Sequence, residues 1–184
     1  MIPRGSESRS GTSATDCTSL TRPVSWSASS NGAWSRNLAV DTGATLDIGS
    51  ANPFVIAGGT INGAGTISGT GNLQVSAAAI VSPGLGNIGT LTLNTGVQLS
   101  GSYLVDVTPT SADAVNIGGN LTLGGAVTFT GGFGSTDLTI ATYSGTLTGV
   151  FGAVTGLSAN FTIDYGTGTN SAITLKFVAA PTRT

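Results

Sequence analysis

From Val40 to Leu99 no apolar run lasts long enough to make a helix, because glycine interrupts the chain at intervals of about 6 to 10 residues. Apolar residues come as short pairs, Leu46/Ile48, Val55/Ile56, Leu73/Val75, Ile80/Val81, Leu91/Leu93 and Val97/Leu99. Between them stand Gly43, Gly49, Gly58-Gly59, Gly63, Gly65, Gly69, Gly71, Gly84, Gly86, Gly89 and Gly96. Most of the pairs alternate with polar residues, which predicts short β-strands with one buried face. A helix with its connections does not fit in such intervals, and each interior glycine would weaken it by about 1 kcal/mol.

Strands of this kind build a sandwich, a barrel or a solenoid. Three features favour the solenoid. The strands carry only two inward residues, the turns are small and glycine-based, and the segments resemble one another as stacked repeats must. At about 20 residues per coil, residues 40–100 supply about three coils. The expected fold is all-β, a right-handed parallel β-solenoid with a C-terminal β-rich capping element.

Residues 1–24 read as a flexible polar tail, residues 25–178 as a single β-solenoid domain and residues 179–184 as a second tail. Within the domain, 25–100 holds the repeats. In 101–178 the strands lengthen, as in Tyr103–Val107 and Ile173–Phe177, and most of the aromatic residues appear. A coil end exposes a layer of unpaired backbone and apolar interior, so this half is expected to hold later coils merging into a cap. Trp26 and Trp34, the only tryptophans, flank a Ser/Asn/Gly segment. Their ordinary reading is an end cover for the first layer. Their functional reading is an aromatic platform for a glycan.

Composition removes whole classes of chemistry. The chain has no histidine, and from Asn37 to Leu175 it has no lysine or arginine either. Serine and cysteine triads need an imidazole, and histidine-based metal centres need the same group. Nucleic acid needs a cationic stripe for its phosphates, so it is not an expected partner. No phosphate-binding loop with its lysine is present, and Gly63-Ala-Gly65 and Gly166-Thr-Gly168 read as turns. No cofactor and no metal is expected. No apolar run approaches the roughly 18 residues of a membrane span, and the first residues lack the apolar core of a secretory signal. Membrane insertion by this chain is therefore not expected. The single cysteine, Cys17, reads as a free thiol, with an intermolecular bridge as the lesser alternative.

Carboxylates remain. Glycoside hydrolysis needs only two of them about 5–9 Å apart. Asp106 and Asp113 form the best candidate pair, with Asp41 and Asp47 second. Asp113 also suits the ordinary role of closing its own turn. Threonine pairs at 90/92, 128/130 and 146/148 put two hydroxyls on one strand face, where threonine is simply a good strand residue.

The stretch Val81-Ser-Pro-Gly-Leu-Gly-Asn-Ile-Gly-Thr-Leu-Thr-Leu93 resembles the autotransporter-associated β-strand repeat of bacterial surface proteins. Ser102–Val107 is similar to the strand that follows that repeat. Asp113-Ala-Val-Asn-Ile-Gly-Gly-Asn-Leu-Thr-Leu-Gly-Gly125 is similar to its loop aspartate and next two strands. Gly149-Val-Phe-Gly152, Tyr165 and Ile173–Leu175 are similar to its closing strands. The resemblance covers about 60–178. It implies a right-handed parallel β-solenoid, secretion and a surface role in bacteria. It does not imply one activity.

The expected function is a non-enzymatic structural protein of the bacterial cell exterior, a stalk or a subunit that self-associates end to end into an extracellular fibre. The tail at 1–24, or the strand carrying Ile173, Leu175 and Phe177, is the candidate assembly segment, adding to a neighbour's sheet. One alternative is an adhesin segment that binds a glycan or host surface through Trp26 and Trp34. The other is an aspartate-based polysaccharide-cleaving β-helix enzyme.

Overall fold

The computed structural model describes residues 19–20, 24–25, 33–84 and 86–179. Among these every regular element is a strand. The chain winds around three faces, laying one strand on each face per turn. A first layer consists of β1 (Ser19–Leu20), β2 (Val24–Ser25) and β3 (Ala33–Trp34). Five turns follow, from Leu38 to Thr148. The first is β4 (Leu38–Val40), β5 (Thr45–Asp47) and β6 (Phe54–Ile56). The second is β7 (Gly59–Gly63) and the long β8 (Thr66–Val75), which bends across two faces. The third repeats that plan with β9 (Ala79–Pro83) and β10 (Thr90–Leu99). The fourth is β11 (Ser102–Val107), β12 (Ala114–Ile117) and β13 (Leu121–Leu123). The fifth is β14 (Ala126–Gly131), β15 (Leu138–Tyr143) and β16 (Leu147–Thr148). The chain closes with β17 (Ala153–Thr155), β18 (Phe161–Asp164) and β19 (Ser171–Phe177).

The first face is a seven-stranded parallel sheet in the order β1-β4-β7-β9-β11-β14-β17. Its turns differ in length, from 20 residues (Ser19 opposite Ala39) to 27 (Ala126 opposite Ala153). Register nevertheless holds, because glycine and short loops at the corners absorb the surplus. The second face runs β2-β5-β8-β10-β12-β15, then takes on β19 and β18, which pair antiparallel. The third face runs β3-β6-β8-β10-β13-β16. The expected parallel solenoid, with about three coils between residues 40 and 100 and a β-rich C-terminal cap, is the observed architecture.

Period-two alternation places like residues above one another, and the core is a set of vertical columns. On the first face Leu38, Ile61, Val81, Tyr103, Val127 and Val154 share one row. On the second Leu46, Ile67, Leu93, Ile117 and Tyr143 do so. On the third the row is Ile56, Val75, Leu99 and Leu123. Nearly all of these are buried. Close packing at the corners explains some of the glycines. A Cβ on Gly125 would lie 1.8 Å from the carbonyl oxygen of Gly101, one turn below. Gly63 and Gly131 end their strands at φ 109° and 108°, where only glycine sits without strain.

Two expectations need correction here. Ser19–Leu20 falls in the segment read as a polar tail, yet it pairs in parallel with Ala39–Val40. The coil therefore begins earlier than the texture of the sequence suggests. Val150–Phe151 resembles a closing strand but is not one. Instead the Phe151 ring packs against Tyr103 and Tyr165 at 6.3 and 6.0 Å, and its N–H donates to the Tyr165 hydroxyl at 3.2 Å. Aromatic packing, rather than ladder pairing, fixes that corner. The strand comes two residues later, at β17.

Candidate functional site

The C-terminal end of the coil is a staircase. Counted from the β4–β6 turn, the third face stops at β16, the first goes one strand further to β17, and the second goes further still, through β19 to β18. The antiparallel pair β18–β19 is well anchored. Phe161 stacks against Phe133 and Phe177 at 5.1 and 5.5 Å, and Tyr143 donates its hydroxyl to the Tyr165 carbonyl at 2.8 Å. Lys176 Nζ lies 2.9 Å from Asp137 Oδ2, and the Phe177 N–H donates to the other oxygen of Asp137 at 2.9 Å. The Lys176 hydrogen bond holds the Asp137 carboxyl below its usual range, with the Phe177 N–H adding to the effect.

The first face ends differently. β17 pairs with β14 on one side and has no strand on the other among the described residues. Its Val154 completes the inward column above Val127 but is 44% exposed, where Val127 is fully buried. Val150 and Val178 are 54% and 50% exposed, so three of the four exposed large apolar residues belong to the final segments of the chain. From Leu138 to Ile163 there is no charged residue. This edge therefore carries none of the lysine or inward charge that blunts strand edges elsewhere.

The expected assembly residues Ile173, Leu175 and Phe177 lie on β19, not at an edge. β19 pairs with β15 on one side and β18 on the other, and Ile173 and Leu175 are fully buried. The reason is the antiparallel hairpin, which folds β18 over the strand that would otherwise end the sheet. Within one chain, β19 therefore offers neither side to a neighbour's sheet. The sequence signal for the actual edge, Ala153-Val-Thr155 between Gly152 and Gly156, is the same glycine-bounded formula seen throughout, in its shortest form.

Trp34 begins the third-face column, in register with Ile56, and is half-buried against the core. Its Nε1–H donates to the Arg36 carbonyl at 2.9 Å. That placement suits an end cover for the third face. Trp26 and Cys17 lie outside the described residues.

Asp113 is completely buried. One carboxylate oxygen accepts from the Gly89 N–H at 2.8 Å, in the turn below, and the other from the Asp106 N–H at 3.1 Å. Its own N–H donates to the Asp106 carbonyl at 2.9 Å, closing the corner 106–113. Burial raises its carboxyl above the usual range, against the two backbone N–H groups, which pull it down. The nearby Tyr103 hydroxyl donates to the Ile140 carbonyl at 2.6 Å, and burial pushes its ionisation well up. Both oxygens of Asp113 are held by backbone N–H groups inside a buried site. Asp106 Oδ1 accepts from the Thr130 hydroxyl. Asp113 thus closes its own corner, as the sequence suggested, and also staples it to the turn below through Gly89. In the second pair, Asp47 Oδ1 accepts from the Gly49 N–H at 2.8 Å, an ordinary turn bond.

Two further features bear on binding. Thr45, Thr66, Thr92, Asn116 and Thr142 form one in-register row outside the second face. Within it Thr142 donates to Asn116 Oδ1 at 3.0 Å. The Thr128/Thr130 and Thr146/Thr148 pairs lie on other faces, so no two-row hydroxyl array forms among the described residues. Inside the coil an apolar cavity of about 10 Å³ lies among residues that include Val81, Leu99, Tyr103 and Phe151. It has room for about one water and offers it no polar partners.

No family model, curated protein or solved structure matches the chain.

Proposed function

We propose that this protein is a non-enzymatic structural component of the bacterial cell exterior, a β-solenoid that serves as a stalk or as a subunit of an end-to-end fibre. The carrying observation is that the core columns run the length of the coil and that one of them ends uncovered at a neutral strand edge. A rod of stacked turns spans distance at about 4.8 Å per layer. Each turn contacts only its neighbours, so such a rod lengthens without redesign of its interior. A bacterial surface location rests on the resemblance of Val81–Leu93 and the strands after it to the autotransporter-associated repeat. Burial of Asp113 weakens the two-carboxylate hydrolase alternative, and the inward set of Trp34 weakens the glycan platform.

Negative-stain microscopy of the purified full chain tests the fibre form. Rods that lengthen with protein concentration support it. Uniform single particles at high concentration leave only the stalk, which microscopy of the protein on its native cell tests in turn.

A further inference from the structure

We infer that the C-terminal end of the coil is a self-complementary joint, at which β17 pairs antiparallel with β17 of a second copy of this chain. The twofold axis runs through Val154, normal to the first face. This goes beyond the stalk or fibre reading, because it holds for either. It pairs two stalks, or joins C-terminal ends within a fibre.

Backbone geometry sets the contact. Ala126 donates its N–H to the Gly101 carbonyl, in the turn below. Alternation along the strand then turns the N–H and C=O of Val127 toward β17. In a parallel ladder such a residue bonds to the residues on either side of its partner, not to the partner itself. Val154 is opposite Val127. Its own N–H and C=O therefore point out of the sheet edge, where no strand lies among the described residues. One residue presenting a donor and an acceptor at an open edge matches itself in antiparallel pairing. Val154 exchanges both bonds with Val154 of the second copy, and Ala153 comes opposite the second copy's Thr155.

Layer counts fit the same axis. From the β4–β6 turn upward the first face has six strands, the second seven and the third five. The rotation sets the first face on the first, and the second on the other copy's third. Six strands then meet six, and seven meet five, so every face of the pair is equally tall. The step that β18 makes above β17 is taken up where β16 stops a layer short. β18 runs parallel to β15, since both pair antiparallel with β19. It therefore meets the oppositely wound third face of the other copy antiparallel, as β17 meets β17. Head-to-tail stacking lacks this fit. The first layer is level, with one strand on each face, and would strike β18 before reaching β17.

Side chains agree. Val154, 44% exposed at the top of its column, would be covered by its own copy. The rotation also exchanges the corner before β17, which carries the exposed Val150, with the corner after it, where the exposed Val178 donates its N–H to the Asn160 carbonyl. Between Leu138 and Val178 the charges are Asp164 and Lys176, one of each sign, so two copies do not repel. A contact of this isologous kind closes at two copies.

The test uses two full-length variants, Cys17→Ser with Ala153→Cys and Cys17→Ser with Thr155→Cys. Both are oxidised with copper phenanthroline and dissolved oxygen, which takes up the two electrons and two protons released as two thiols become one disulfide. Mixed, they should give a covalent dimer whose mapped bridge joins position 153 to position 155. Either alone should give about fivefold less, because equal positions lie on the diagonal, roughly 7–8 Å apart. The wild-type chain should sediment as a dimer. Val154→Lys sets two like charges together at the axis, and should weaken association roughly tenfold with the β-sheet circular dichroism unchanged. A chain that is monomeric at every concentration overturns the inference. So does a mixture without the 153–155 bridge, or unaltered association in Val154→Lys. Rods that lengthen while that bridge is missing overturn it and leave the fibre reading standing. Bridged pairs that never lengthen support it and leave only the stalk.

Discussion

Replacing Asp113 tests whether a buried carboxylate, rather than apolar packing alone, holds the fourth turn to the third. In Asp113→Ala the N–H groups of Gly89 and Asp106 lose their acceptor inside a fully buried site. Each unsatisfied buried donor costs about 1–3 kcal/mol. Removing the carboxylate also relieves its own desolvation, the dominant influence on its pKa, which offsets part of that sum. The net expectation is a loss of about 2–4 kcal/mol, seen as a fall of about 5–12 °C in melting temperature for a chain of this size. Asp113→Asn keeps the shape and one acceptor but turns an amide donor toward a backbone donor, and should cost about 1–2 kcal/mol. The pH dependence has a definite sign. The folded carboxyl titrates above its unfolded value, so the native state takes up the proton first as pH falls. Wild type therefore gains stability relative to Asp113→Asn as pH falls through the folded pKa toward about 4, and loses that increment as pH rises. Urea titration gives the energies, and amide exchange by NMR gives the location, with Gly89 and Asp106 losing protection in the alanine variant. A change under about 0.5 kcal/mol, or undiminished protection at both amides, would refute the reasoning.

Three other outcomes are expected. Leu93→Ala removes the centre of the second-face column, buried at both neighbouring layers, and should cost about 2–5 kcal/mol in chemical denaturation. Gly125→Ala places a Cβ against the Gly101 carbonyl and should destabilise more than Gly124→Ala, whose Cβ meets open space; comparing the two melting temperatures checks this. Asp137 is held low by Lys176, so its pair contributes above about pH 4 and the contribution disappears as pH falls through the folded value. The melting-temperature gap between wild type and Asp137→Asn should close in acid and shrink in high salt.

The solenoid was legible because its signal is local. Two inward residues and a glycine recur often enough that no other β architecture fits as well, and the three coils between residues 40 and 100 follow from spacing alone. What escaped was non-local. Ile173–Phe177 reads as a terminal strand, and nothing in its own residues reveals that Phe161–Asp164 folds over it. Asp113 reads as a turn former, because its partner Gly89 lies a whole turn away. β17, with only three residues, carries too little pattern to stand out. Each of these depends on which segments stack, and a period-two pattern does not encode that.

The short junction between β14 and β17 has a mechanical meaning. Layers in a rod under tension are links in series, and every junction carries the full pull. Three residue pairs join β14 to β17 and two join β9 to β11, against six between β11 and β14. If the object bears load, its tensile strength is set by its weakest layer junction. Reinforcing the stronger junctions would then leave the breaking force where it was.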